Sequence, residues 1–397
     1  MVEDIIIDIV GSFADGKTTL VKAMTRETTL RHSEEIKRGI TIRLGYAHFI
    51  VYRCGSCGRY SRTEKCEYCN GASSPHYRVS IIDSPGHKTL MTIMLSGASL
   101  VDGAVLVIAA NQPCPQPQTQ EHLEALKIIG IKNMVVAQTK VDVVGEQRAR
   151  QSYSEIKSFL SQNGLHDVPI IPVFSIQDIN IGELIQWIGR FKIEKADRGN
   201  QTEMVAIRSF DINKPGADIK KMNGAVLGGA LKQGTMSKGD SVTVYPGVFI
   251  KNSWKPLNTK IASIQSEFGE ESRVGPGLMV GVRTMLDPSL SRRDNLAGSL
   301  VVGTDSKPLF KNKISIEYSA LEEKEKQKFK RPIQRNESVL VNVLASKVLG
   351  TVTSVNGRKV TIFLNNSFLP YFLGDKAIIS RKVDNIWVLA GAGTIYD

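Results

Sequence analysis

Ile5-Ile6-Ile7-Asp8-Ile9-Val10-Gly11-Ser12-Phe13-Ala14-Asp15-Gly16-Lys17-Thr18-Thr19 is the stretch on which the fold turns. Ile5 to Val10 is a short β-branched run of the kind that forms a buried strand. Gly11 to Thr18 then fits GxxxxGK[ST], between that strand and a helix-like stretch from Lys17. That setting gives the pattern its meaning as a phosphate-binding loop. Glycines let the backbone N–H groups of the loop close around phosphate oxygens. Lys17 adds a point charge on the β- and γ-phosphates, and Thr18 offers a hydroxyl to Mg²⁺. The expected nucleotide-binding residues here are Gly11, Ala14, Asp15, Gly16, Lys17, Thr18 and Thr19.

Downstream, the apolar runs Val79–Ile82, Ala104–Ala109, Met134–Ala137 and Ile170–Phe174 alternate with the helix-like stretches Thr119–Ile129 and Ala149–Gln162. That alternation predicts a doubly wound α/β domain with a mostly parallel sheet. Three strand ends carry polar motifs. Asp83-Ser-Pro-Gly86-His87 is a DxxG about 65 residues beyond the phosphate loop. It supplies a second carboxylate on the Mg²⁺ side and a glycine N–H near the γ-phosphate. Thr139-Lys140-Val141-Asp142 matches [NT]KxD. The carboxylate of Asp142 can accept two hydrogen bonds from guanine N1 and N2, a donor pair that adenine lacks. Thr in place of the usual Asn has one hydroxyl instead of an amide, so a weaker tether to the phosphate loop is expected. Ser175-Ile176 fits a last guanine loop, where a backbone N–H donates to guanine O6.

Near Lys195–Gln201 the texture changes to short strands separated by turns at Asn213–Gly216, Lys238–Asp240 and Gly275–Gly277, which predicts β-barrels. The expected domains are 1–199, with an insertion at 52–72, then a barrel at 200–308 and another at 309–397. The insertion holds Cys54-x₂-Cys57 and Cys66-x₂-Cys69. Two CxxC pairs so close together signal a structural Zn²⁺ knuckle, in which metal supplies the folding energy of a polar loop. Cys114, between prolines, is expected to be an unpaired thiol. At 42% apolar and 23% charged residues, the 397-residue chain is excluded from the wholly disordered class. No run approaches the length of a membrane helix, no signal peptide is expected, and a cytoplasmic location follows. Lys and Arg exceed Asp and Glu by 51 to 39, a net charge of +12. That surplus fits a polyanionic partner, RNA first, and equally a surface that happens to be basic.

Arg38-Gly39-Ile40-Thr41-Ile42, between the phosphate loop and DSPGH, resembles the first switch of the translational GTPases. More narrowly, the chain resembles the gamma subunit of archaeal and eukaryotic translation initiation factor 2. The likeness runs through His32–Tyr46, Met94–Ala98, Pro115–His122, Ile207–Gly216, Leu286–Leu290 and Ile379–Arg381, with Trp387 beyond, and so spans essentially the whole chain. It implies a GTPase domain followed by two β-barrels. It also implies that GTP and GDP bind with Mg²⁺, that Thr41 and Gly39 join Thr18 at the Mg²⁺, and that His87 orients the attacking water, with Asp83 and Gly86 completing the catalytic set. Tyr46 would lie near the aminoacylated 3′ end of the tRNA. The implied partners are initiator methionyl-tRNA, the alpha and beta subunits of the factor, the small ribosomal subunit, and activating and exchange factors. An elongation factor or selenocysteine-specific factor is the alternative. The family loop commonly reads GHVDHGKT. Ala14 therefore stands where many archaeal members carry Asp, and Ser12 and Asp15 replace histidines, a change expected at the rim of the cradle.

Overall fold

A computed structural model describes residues 2–27, 44–86, 100–193, 201–216, 218, 222–321, 329, 331–365 and 367–396. They fall into two compact units that part after residue 194. In the first, strands β1 (Glu3–Gly11), β2 (Gly45–Cys54), β3 (Tyr60–Ser61), β4 (Ser73–Asp83), β5 (Gly103–Ala109), β6 (Asn133–Thr139) and β7 (Ile170–Pro172) form one sheet. Its order is β3-β2-β4-β1-β5-β6-β7. The β4-β1-β5-β6-β7 part is parallel, whereas β2 and β3 join antiparallel. A parallel sheet needs cover on both faces, so its central strands read as unbroken apolar runs. Every residue of β5 is buried, and Ile5, Ile6, Ile7, Ile9 and Val10 of β1 are fully so. Helices Lys17–Thr25, Pro117–Ile129, Glu146–Gln162 and Ile181–Ile188 accompany the sheet.

This topology places the ends of β4 and β1 side by side, with the end of β6 on the same edge beyond β5. β1 pairs with β4 so that Ile9 faces Asp83. The phosphate loop and the DxxG loop therefore leave the sheet as neighbours, at the carboxyl ends where open α/β sheets bind ligands.

The second unit contains two closed six-stranded barrels. In the first, strand Ser241–Ile250 pairs with Leu300–Gly303, and the ring continues through Glu203–Phe210, Val226–Gln233, Met279–Thr284 and Ser253–Ser266 back to Ser241–Ile250. In the second, Lys313–Ala320 pairs with Lys359–Leu364. Ser346–Asn356, Ser338–Val343, Lys376–Val383 and Ile386–Ile395 follow, and the last pairs with Lys313–Ala320. Alternation fills these barrels. In Lys313–Ala320, Ile314, Ile316 and Tyr318 point inward while Lys313 and Glu317 are exposed, the period-2 pattern of a half-buried strand. The barrels are tied to each other by Lys232 Nζ to Asp375 (2.5 Å) and by the Ser346 hydroxyl donating to the Gly298 carbonyl (2.6 Å). Among the described residues no helix is long and apolar enough to cross a membrane.

Candidate functional site: a guanine-nucleotide pocket and a four-thiol knuckle

The phosphate loop runs from the end of β1 into helix Lys17–Thr25. Gly16 caps that helix at φ 89°, a left-handed conformation that glycine adopts without cost. Lys17 is 6% exposed and donates from Nζ to the carbonyls of Gly11 (3.0 Å) and Ser12 (2.7 Å). Burial pulls its pKa down, against the opposing pull of Asp83, Asp15 and Asp8. The ammonium is thus held inside the loop, where phosphate oxygens would meet it.

Thr18 donates from Oγ1 to Asp83 Oδ2 at 2.8 Å. A hydroxyl and a carboxylate meeting beside a phosphate loop form a hard-oxygen donor pair suited to Mg²⁺. Gly86 closes the same corner. A Cβ there would meet Lys17 Nζ and come 2.7 Å from the Gly11 carbonyl oxygen, so only glycine fits. Ala14 and Thr19 are exposed on the loop and its helix. Thr41, Gly39 and His87 lie outside the described residues.

The two loops expected to meet guanine start at β6 and β7. Thr139, 3% exposed, donates from Oγ1 to the Asp15 carbonyl at 2.6 Å. The tether to the phosphate loop is therefore one direct hydrogen bond. Lys140 is left-handed at φ 56°, and Asp142 is exposed on the short 3₁₀ turn Val141–Val143. Ser175 and Ile176 sit in a tight loop closed by reciprocal backbone hydrogen bonds between Phe174 and Ile179, both 3.1 Å. Ile176 is 79% exposed.

Ser12 and Asp15 differ from the rim positions expected of them: they are 1% and 2% exposed. Asp15 Oδ2 accepts from the Ser12 N–H at 2.8 Å, and the Ser12 hydroxyl donates to Gln116 at 2.6 Å. They brace the loop from inside. Burial raises the Asp15 carboxyl to about 6, with Lys17 pulling the other way.

Two further buried groups escaped the motif reading. Asp8, in the middle of β1, is fully buried, accepts from the Ser84 hydroxyl at 2.7 Å and is raised by burial to about 7. His122, on helix Pro117–Ile129, is 1% exposed and is pushed by burial to about 3. The signal for Asp8 was a lone charge inside Ile5–Val10; that for His122 was faint.

In the insertion, the Cys54 and Cys69 sulfurs are 3.5 Å apart and those of Cys57 and Cys66 3.6 Å. All four lie within 4.8 Å of one another. A tetrahedral ion with metal–sulfur bonds of about 2.3 Å separates its sulfurs by about 3.8 Å, so the cluster fits such an ion. Each CxxC pair makes the same turn: Gly58 N–H donates to the Cys54 carbonyl and Asn70 N–H to that of Cys66, both at 3.0 Å. Gly58 and Asn70 are both left-handed. Backbone N–H groups, led by those of Cys57 and Tyr68, pull the Cys54 and Cys66 thiols down toward thiolate. Cys114 is a free cysteine outside this group.

The family described as Elongation factor Tu GTP binding domain matches residues 3–192, and that described as Initiation factor eIF2 gamma, C terminal, matches residues 312–395. The fold and the nucleotide pocket define a translational GTPase. The translation initiation factor 2 subunit gamma of Methanocaldococcus jannaschii is 43% identical over 98% of this chain and 96% of its own length. That of Pyrococcus furiosus is 41% identical over 98% and 96%. The chain belongs to the translation initiation factor 2 gamma-subunit family. Among solved structures, the elongation factor SelB of Methanococcus maripaludis, in complex with the GTP analogue GppNHp, superposes with TM-score 0.75. It is 23% identical over all of this chain and 79% of its own. A bacterial selenocysteine-specific elongation factor gives TM-score 0.77 at 22% identity over 99% of this chain, which spans 58% of that factor. These two likenesses are of fold.

Proposed function

We propose that this chain is the GTP-switched subunit that carries initiator methionyl-tRNA to the small ribosomal subunit and lets it go after GTP is hydrolysed. The reading is carried by the full-length likeness to gamma subunits, and the net charge of +12 suits a phosphate backbone. In it, residues 1–199 bind nucleotide and carry the knuckle, and 200–308 and 309–397 are the two barrel domains. The loop from Gly11 to Thr19 holds the phosphates, with Lys17 inside it. Thr18 and Asp83, with Thr41 and Gly39, hold the Mg²⁺ that neutralises charge on the β- and γ-oxygens. His87, next to Gly86, orients the attacking water and stabilises developing charge. Asp142, Lys140, Thr139, Ser175 and Ile176 select guanine. Cys54, Cys57, Cys66 and Cys69 hold Zn²⁺, the metal that four thiolates at this spacing favour.

Tyr46 is half-buried on β2, paired opposite Ile82 of β4. In this reading its ring meets the 3′ end of the tRNA. The alpha and beta subunits, with activating and exchange factors, complete the cycle in the cytoplasm.

The pocket assignment is tested by nucleotide selectivity. Asp142→Asn should weaken GTP and GDP binding, because an amide cannot accept from both guanine donors as a carboxylate does. It should weaken ATP binding no further. Equal GTP affinity in parent and variant would remove Asp142 from the guanine site.

A further inference from the structure

The four-cysteine insertion reaches the guanine end of the pocket through one side chain. Arg62 lies between the two CxxC pairs. Its Nη1 and Nη2 donate to Asp178 Oδ1 and Oδ2 at 2.8 and 2.7 Å, two parallel bonds to one carboxylate. Nη1 also donates to the Ala23 carbonyl at 3.0 Å, in the helix that follows the phosphate loop. Nη2 lies 3.5 Å from Glu67 of the insertion itself. Arg62 is 12% exposed, so its stem is packed and its fork is aimed.

Asp178 belongs to the loop that carries Ser175 and Ile176. Asp178 and Asn180 are both left-handed, at φ 62° and 61°, and the loop tip is exposed. The helix after it, Ile181–Ile188, is gripped by the same insertion. Tyr60 N–H donates to Gln186 Oε1 at 2.7 Å, and the Tyr68 hydroxyl donates to Glu183 Oε1 at 3.2 Å. Gly189 sits so close under the Tyr60 ring that a Cβ would have no room. The insertion thus holds both the last guanine loop and the element that anchors it.

We propose that Arg62 is a positioning residue for guanine binding: the knuckle, folded on its metal, fixes Arg62, and Arg62 fixes Asp178 and with it the loop of Ser175 and Ile176. Arg62 touches no nucleotide in this scheme. Its bidentate pair sets orientation, which a point charge would not do. The loop has little packing of its own, so ordering it costs entropy at each binding event, and the Arg62 clamp removes part of that cost in advance. The proposal rests on the reading of Ser175–Ile176 and Asp142 as the guanine contacts.

The test is stopped-flow release of N-methylanthraniloyl-GDP from the full chain. Asp178 is 47% exposed, which weakens the pair, so Arg62→Ala and Asp178→Ala should each speed release by about two- to fivefold. The double variant should release no faster than either single, because both remove one link. Asp178→Asn, which keeps the loop's size, should behave like Asp178→Ala. The charge swap Arg62→Asp with Asp178→Arg should recover part of the parent rate. Stripping the knuckle metal with a zinc-selective chelator, Mg²⁺ being kept in excess, should speed release from the parent more than from Arg62→Ala. Parent-like release from Arg62→Ala, or multiplied effects in the double variant, overturns the coupling. So does an equal response to chelation in both proteins. Asp142→Asn, run alongside, separates the two failures. If it also releases at the parent rate, the guanine reading itself is wrong; if it releases faster while Arg62→Ala does not, only the coupling falls.

Discussion

Replacing His122 by Phe should change how stability depends on pH, by an amount set by its surroundings. Nδ1 of His122 has no hydrogen-bond partner among the described residues. Burial first, and the charge of Lys17 second, push the imidazole down to about 3. An unfolded histidine titrates near 6.5. As pH falls below that value, the unfolded chain takes up a proton that the folded chain refuses. Stability is then lost at about 1.4 kcal/mol per pH unit until pH reaches about 3. From pH 7 to pH 5 the loss is about 2 kcal/mol.

Asp8 acts with the opposite sign. Burial raises it to about 7, helped by the charge of Asp83 and opposed by the Ser84 hydroxyl and Lys17. Below pH 7 the folded chain holds a proton that the unfolded chain releases down to about pH 4. Acidification from pH 7 to pH 5 therefore gains roughly 2–3 kcal/mol from this group. In the parent the two slopes nearly cancel. His122→Phe leaves the Asp8 slope, so its stability relative to the parent should rise toward pH 5. Asp8→Asn leaves the histidine slope, so its relative stability should fall. Urea melts of nucleotide-free protein at pH 5, 6 and 7 read both, and subtracting the parent at each pH cancels every shared group. A His122→Phe difference that stays constant across the three pH values refutes the assignment of a buried neutral imidazole.

Gly86→Ala should destabilise the pocket by about 1–3 kcal/mol, since the new methyl meets backbone that cannot retreat, and it should weaken binding of a GTP analogue by calorimetry. Thr139→Ala leaves the Asp15 carbonyl without its donor at a buried site and should cost about 1–3 kcal/mol in thermal or urea stability, whereas Thr139→Ser should restore it. Cys66→Ser should drop the metal content by elemental analysis from one ion per chain toward none and open the segment between Cys54 and Cys69 to protease. Parent-like metal content in that variant would remove Cys66 from the ligand set.

The α/β sheet and the barrels were legible because their patterns are local. Ile5–Val10 reads as a strand alone, and Ile314, Ile316 and Tyr318 alternate as a barrel strand must. The pocket motifs were legible because each sits at a strand end, with its chemistry in the residue types. The remainder depended on distant partners. Tyr60–Ser61 is too short to read as a strand and pairs with β2 because the thiol cluster folds the chain back. Helix Ile181–Ile188 has only eight residues, about two turns, too few for a helical period to stand out in the sequence. Ser12 and Asp15 looked like rim residues because nothing local reveals that Gln116, 104 residues away, comes to meet Ser12. The Arg62–Asp178 pair spans 116 residues with no shared motif.

The central claim is a nucleotide-gated grip on initiator tRNA. It is tested most directly by measuring the affinity of the chain, assembled with the alpha and beta subunits proposed as its partners, for methionyl initiator tRNA. The comparison is between a non-hydrolysable GTP analogue and GDP. Binding should be tighter with the analogue and should weaken when methionine is removed from the tRNA. Equal affinity in the two nucleotide states would leave only a basic surface that holds RNA without a switch, and would contradict the delivery mechanism.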